Sequence, residues 1–385
     1  MSESTLDKAD DTQSPPVKKK HTISNDDLYR KSTQFELWSF TPEKLAEIKR
    51  KTNEQGRKSA QEKFDQAYSQ AKLTNPTVFN SDEELLLPEN MINLLTVDEE
   101  TKYLDFYSNN IIKTCNFFKM PTQVKLTAAS FFKKFYLVNS VMEYHPKNIL
   151  YTCVFLAAKS ENYFISIDSF VRALQGTEAS HILDLEFIVL QSLKFTLLVH
   201  HPVRPLYGFF LDFQAVLLHP EPVMYDVSVD TLGNLYNKAK DWLNEYAVTS
   251  DVTFLFTPPQ IALAAMYDTD KRITDRYLKR KFLREDKEKL NVINEADEAK
   301  PDDEKEEVKQ TDVENNNNHS TKASPQREQY ETLVRTIRKC IKISKDVKPT
   351  TREESKEIDK KCFFALNPKK LIDKRIKRLT AEEEK

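Results

Sequence analysis

Glycine is almost absent, with 4 residues in a chain of 385. Phosphate-cradling loops and tight hairpins use glycine for positive φ and for close backbone approach. Its scarcity argues against a dinucleotide-binding fold, a P-loop or a hairpin-rich β architecture, and leaves an all-α chain. Cysteine is as sparse: Cys115, Cys153, Cys340 and Cys362 lie far apart and form no CxxC pair. Disulfides are not expected, and Cys153, in an apolar run, reads as a small core residue. No apolar run approaches the ~18–20 residues of a membrane helix, and no signal peptide opens the sequence. The expectation is a soluble protein of the cytosol or nucleus, with no membrane partner. A charge excess is missing too, since 58 Lys and Arg face 60 Asp and Glu. That balance removes the whole-chain argument for a nucleic-acid binder, which normally carries a basic surplus.

Catalytic constellations are also lacking. The 7 histidines are scattered, and no HExxH, GxSxG, P-loop or kinase glycine loop occurs. No pair of carboxylates stands out as an acid–base couple. The chain reads as a non-enzyme without a cofactor or a metal site. His200-His201, ahead of Pro202, has the composition of a ligand pair but reads better as a helix start or linker.

What is present is helical periodicity. Residues 1–25 are polar, carry Lys18-Lys19-Lys20, and read as a disordered arm. From Thr41, a capping residue followed by Pro42, a helix is expected towards Tyr68, weakened midway by Gly56. Five helices follow with short connections: 97–116 (Leu104, Tyr107, Ile111, Cys115), 121–139 (Val124, Ala128, Phe131, Phe135, Val138), 146–160 (Ile149, Cys153, Leu156), 166–175, and 178–198 (Leu183, Phe187, Leu190, Leu197). A second helical group reads at 203–218, 229–249, 258–268 and 271–284. Pro146 and Pro258-Pro259 open similar small-plus-apolar runs, a weak internal repeat. Residues 285–325, with their acidic and asparagine tracts, read as a disordered insertion. Periodicity returns at Tyr330, Leu333, Ile337 and Ile341, and a basic helix is expected at Pro368–Leu379.

Two charged residues stand apart. On a helical wheel Asp184, Gln191, Ser192 and Lys194 share one arc, whereas Glu186 falls opposite, among Val189, Leu190, Leu193 and Leu197. A carboxylate among apolar neighbours needs a cation, or a partner that covers that face. Lys159, ending the 146–160 helix where the dipole favours positive charge, is the natural cation, with Tyr151 and Phe155 close by. On geometry alone two readings stay open: a functional surface, or a solvated helix cap beside an acid at a helix–helix edge.

Several segments resemble the cyclin family. Phe131–Tyr136 (FFKKFY), Asn139–Pro146 (NSVMEYHP), Thr152–Glu161 (TCVFLAAKSE) and Leu185–Phe195 (LEFIVLQSLKF) look like a first cyclin box. NSVMEYHP, His200–Phe210 (HHPVRPLYGFF), Phe256–Ala264 (FTPPQIALA) and Asp27–Leu45 are similar to the cyclin H type. The resemblance covers about 27–284 and resumes from 326. It implies an all-α fold of two tandem five-helix cyclin boxes flanked by N- and C-terminal helices. The expected division is a disordered arm 1–25, an N-terminal extension 26–90, a first box 91–199, a second box 200–346 with the insertion 285–325, and a C-terminal extension 347–385.

The resemblance also implies a function. The chain would bind and activate a cyclin-dependent kinase, that of the transcription factor TFIIH, acting on the RNA polymerase II tail in the nucleus. Implied partners are that kinase, a RING-finger assembly subunit of the kinase module, and core TFIIH. By motif, Lys159 and Glu186 correspond to the family's kinase-facing lysine and glutamate, and Phe155, Leu190, Phe195 and Leu197 to contacts on the same surface. Glu161-Asn162 departs from the usual Glu-Glu, and residues 97–116 contain no MRAIL-like substrate-docking segment. Ser324, in Ser324-Pro325-Gln326-Arg327, has the form favoured by such kinases and is a candidate phosphorylation site. Two other uses of the fold are carried as alternatives: direct DNA binding of the TFIIB kind, supported only by the basic stretch 368–379, and a transcriptional cyclin of the C, K or T type.

Overall fold

The computed structural model describes residues 25–79, 91–174, 176–218, 227–283, 325–347 and 350–383. The expected arm and insertion lie outside the described residues, apart from Asn25 and Pro325, which open helices. Every regular element among the described residues is helical.

An N-terminal segment comes first: α1 (Asn25–Arg30), α2 (Thr33–Trp38), the long α3 (Pro42–Thr74) and α4 (Pro76–Phe79). A five-helix unit follows, made of α5 (Val97–Phe117), α6 (Thr122–Phe135), α7 (Pro146–Ser160), α8 (Ile167–Arg172) and α9 (Ala179–Ser192). The second unit holds α10 (Val203–Leu217), α11 (Val229–Trp242, continued by a π-helical turn at Leu243–Ala247), the short α12 (Val252–Leu255), α13 (Pro258–Thr269), α14 (271–283) and α15 (Pro325–Lys345). The chain ends in α16 (Arg352–Leu366) and α17 (Pro368–Glu383).

The helix starts follow from local chemistry. Thr41 accepts from the Lys44 amide, with Pro42 in the first turn. Thr96 and Glu99 form a capping box on α5, as do Thr257 and Gln260 on α13. α16 lies in the expected C-terminal helical extension but was not placed as a separate helix, although its own capping box, Thr351 with Glu354, is written in the sequence.

Each unit has its own core. α7 is the axis of the first, with Ile149, Cys153, Val154, Leu156, Ala157 and Ala158 buried against α5, α6 and α9. The second is built round Leu206, Phe213, Leu235, Trp242 and the small-residue run Ile261–Met266. All four cysteines are buried and free. Three expected core positions are not core. α6 stops at Phe135, leaving Val138 41% exposed, and Leu183 and Phe187 are 44% and 63% exposed. On α9 the buried stripe is Ile182, Val189 and Leu193; the helix carries apolar residues on more faces than its neighbours can cover.

The terminal helices close on the first unit. α17 packs Leu371 and Ile372 against Phe64 of α3 and Met91. On that basic helix, Lys370 and Lys374 lie over the rings of Phe363 and Phe364. α16 puts Ile358, Cys362 and Ala365 into the first core. The meeting point is Asn139–Pro146. Glu100, buried, accepts from Asn53 Nδ2 at 2.6 Å, Ser140 Oγ at 2.8 Å and the Val141 amide at 2.8 Å. Val141 O accepts from Cys362 Sγ at 3.3 Å. The Tyr103 hydroxyl donates to Asp359, which lies 3.3 Å from His145 Nε2. The segment most like one cyclin type is thus where α3, α5 and α16 converge.

Gly56 does not weaken α3, which runs unbroken. A Cβ there would sit 2.2 Å from Ser140 Cβ, so the glycine lets α3 touch the 139–146 segment. Gly56→Ala gains about 1 kcal/mol of helix propensity. Overpacking costs about 1–3 kcal/mol, and a 2.2 Å overlap belongs at the upper end. A net destabilisation of about 1–2 kcal/mol is expected in denaturant unfolding; an unchanged midpoint would place the contact elsewhere.

Candidate functional site

α7 delivers Lys159 to the surface. Pro146 starts the helix, His145 Nδ1 accepts from the Lys147 amide, and buried apolar side chains hold its length inside the unit. Lys159, in the last turn, is the one exposed residue of the helix. There Lys159 Nζ lies 2.5 Å from Glu186 Oε1 of α9, the lysine side chain 51% exposed and the glutamate 17%. The same ammonium sits 5.3 Å above the Phe155 ring. The carboxylate singled out on the wheel has found its cation. A half-exposed pair of this kind is worth about 0–1 kcal/mol to folding, so stability alone is a weak reason for it.

The other expected residues sort themselves by depth. Phe155 is buried and supports Lys159 from beneath instead of facing solvent. Leu190 and Leu197 are half-buried against the first core. Phe195 is 61% exposed and makes an edge contact with Phe187 at 6.2 Å. With Leu183 and Leu198, also exposed, these two rings form an apolar rim on and just beyond α9. Phe187 and Leu183 were missed as surface residues because each fits an amphipathic stripe, and Leu198 was not singled out. The signal available was that Leu183 and Phe187 are one turn apart on the arc that holds Asp184 and Gln191.

The helices bearing the pair both end on left-handed backbone without glycine. Asn162, after α7, has φ 56°; Lys194 and Phe195, after α9, have φ 53° and 55°. Each end closes by a reverse bond, Tyr163 N to Ala158 O at 2.8 Å and Phe195 N to Leu190 O at 3.0 Å. Asparagine tolerates this region, but Lys and Phe do so at about 1–2 kcal/mol each. Left-handed turns therefore persist in a glycine-poor chain, two of them flanking the pair.

Glu161 turns inward. Thr127 Oγ1 donates to its Oε1 at 2.6 Å, and His201 Nε2 lies 2.7 Å from the same hydroxyl. The adjacent His201 ring and this hydroxyl hold the Glu161 carboxyl below its ordinary range. His201 thus belongs to a chain tying the end of α7 to the start of α10. No group of three or more His, Cys, Asp or Glu suited to a metal occurs among the described residues. No helix of the described residues is long and apolar enough to cross a membrane. Ser324 lies outside the described residues.

Where the units meet, Lys49 pairs with Asp251 at 2.6 Å, and Lys133 donates to the carbonyls of Ser250 and Ala247. Burial pushes the Asp105 carboxyl up from its ordinary range and the Lys133 ammonium down from its own. Lys49, Asp105, Lys133 and Asp251 line a cavity of about 40 Å³, room for a few waters.

The sequence matches the family profile for the cyclin N-terminal domain over residues 76–198 and that for the cyclin C-terminal domain over 201–345. It is 37% identical to cyclin CCL1 of Saccharomyces cerevisiae over 99% of this chain and 91% of that protein. It is 37% identical to cyclin mcs2 of Schizosaccharomyces pombe over 67% of this chain and 74% of that one. Among solved structures, the fold is similar to a chain of the CAK complex from Chaetomium thermophilum, with TM-score 0.64, 25% identity, and coverage of 94% and 96%. It is also similar to a chain of the yeast TFIIK complex of Kin28, Ccl1 and Tfb3, with TM-score 0.55, 30% identity, and coverage of 82% and 100%.

Glu161 provides a pH test. Its folded pKa lies below 4.5, so its contribution is full above the unfolded value and is lost as pH falls through the folded one. Denaturant unfolding should show wild type more stable than Glu161→Gln above about pH 5, with the gap closing in acid. A gap independent of pH would exclude an ionised Glu161 as the linker's anchor.

Proposed function

The chain belongs to the cyclin family, and from that premise we propose that it is the cyclin H-type subunit that binds and activates the TFIIH kinase. The observation that carries this is the Lys159–Glu186 pair, set at the end of an otherwise buried helix beside an exposed apolar rim. The pair offers charged groups to a partner's backbone, and Phe187 and Phe195 offer area that becomes favourable once desolvated. The boxes we assign are 91–199 and 200–346, with extensions at 26–90 and 347–385.

In this reading the surface receives the kinase's mobile C-helix and draws it inward. The helix glutamate then pairs with the ATP-anchoring lysine, and the activation loop is reshaped. The chain does no chemistry; its binding energy favours the kinase's active state. Similarity to a chain of a three-protein yeast complex supports a kinase of the Kin28 type and a third, RING-finger assembly subunit as partners. Attachment to core TFIIH, a nuclear location, and phosphorylation of the polymerase tail follow from the same assignment. Ser324 is a site such a kinase would modify in return.

Lys159→Ala combined with Glu186→Ala should weaken kinase binding about tenfold or more and lower activation at limiting chain concentration. The helical circular-dichroism signal should be preserved, because the pair contributes little to folding. Unchanged activation would remove the pair from the kinase interface.

A further inference from the structure

We propose that Gln34 and Trp38, on the short helix α2, are positioning residues that hold the 194–200 loop in the shape that presents Phe195 and Leu197 to the kinase. The proposal rests on the kinase-binding reading above and adds to it the segment that shapes its most exposed contact.

The 194–200 loop needs an external hold. Lys194 and Phe195 both occupy the left-handed region, and neither is glycine. Two consecutive residues there persist only where surroundings over-determine them, and such strain concentrates at functional sites. The loop's own bonds run back to α9 and stop at Thr196, whose amide reaches Leu193 O at 3.0 Å. Beyond that point the described polar contacts of 197–200 come from the N-terminal segment.

That segment grips the loop at both ends. At the near end, Trp38 Nε1 donates to Thr196 Oγ1 at 3.0 Å, and Lys194 Nζ lies 5.5 Å from the centre of the Trp38 ring. At the far end, Gln34 makes a two-way pair with His200: the His200 amide donates to Oε1 at 2.7 Å, and Nε2 donates to His200 O at 3.3 Å. The Tyr29 ring meets the His200 ring edge-on at 5.6 Å. Phe195 and Leu197 lie between the two grips. The segment is itself tied to the second box, where the Phe40 amide donates to Phe254 O at 2.8 Å.

Trp38 has a further tie. Lys134 of α6 is 2% exposed, its Nζ has no hydrogen-bond partner, and it lies 5.3 Å from the centre of the same indole. Its principal partner is an aromatic face. Trp38 thus joins a buried cation of the first box to the cation that opens the strained loop. The Trp38 ring also packs in a small buried cluster with Leu45, Leu137 and Phe254, which fixes the indole while its Nε1 reaches the loop.

The test uses the full chain with the kinase that co-purifies with it. Hydrogen exchange is followed at 194–200, and kinase affinity is measured on the same preparations. Trp38→Ala should speed exchange at 194–200 about tenfold while leaving α7 amides protected, and should weaken kinase affinity about tenfold. Gln34→Ala, a milder change, should act in the same direction at 198–200. Trp38→Phe keeps a ring between the lysines but loses the donor to Thr196, and should fall between wild type and Trp38→Ala in both readouts. The inference is overturned if exchange at 194–200 is unchanged in Trp38→Ala, or if it rises without loss of affinity. If wild type binds no kinase, the kinase reading fails; the exchange results then still decide whether the segment holds the loop.

Discussion

Everything at the candidate surface depends on the burial of one helix, α7. Ile149, Cys153, Val154, Leu156, Ala157 and Ala158 are all inside the first core, so the helix has no freedom to tilt or slide. Lys147, Asn148 and Tyr151 are half-buried, and Lys159, the charged residue of the final turn, is the one exposed position. A cation fixed in this way can be met by Glu186 at 2.5 Å and still present its exposed side to a partner. The pair adds little to stability, and we read its geometry as one of presentation.

The elements outside the box serve the same surface from two directions. At one end of α7, Asn139–Pro146 receives α3 through Gly56 and α16 through Cys362 and Asp359. At the other end, Glu161 is anchored through Thr127 and His201 to the start of the second box. The N-terminal segment spans from the loop after α9 to Phe254 of that box. Each contact is modest alone, but together they fix where one box ends and the next begins.

Much of this was legible in the sequence. Proline and capping residues set the starts of α3, α7 and α13 close to where periodicity puts them, because those signals are local. Glu186 was legible as a misplaced charge because a carboxylate on an apolar arc has few inexpensive solutions. Leu183 and Phe187 were misread as core, since periodicity records that a face is apolar and not whether anything covers it. Gly56 was misread as a weak point because its reason, Ser140, lies 84 residues away. The left-handed turns at Asn162, Lys194 and Phe195 were illegible for a related cause: scarce glycine argues against such turns, whereas here surrounding contacts enforce them on other residues. The order in which Tyr29, Gln34 and Trp38 meet His200 and Thr196 is likewise set by tertiary contacts alone.

The central claim is that the kinase is received by the end of α7, by α9 and by the loop after it. Its most direct test is a hydrogen-exchange footprint of the full chain with and without its kinase. The account predicts new protection confined largely to 155–162 and 183–198, with the basic helix α17 unaffected. Protection centred on α17 or on the second box, with 155–162 and 183–198 unchanged, would contradict it.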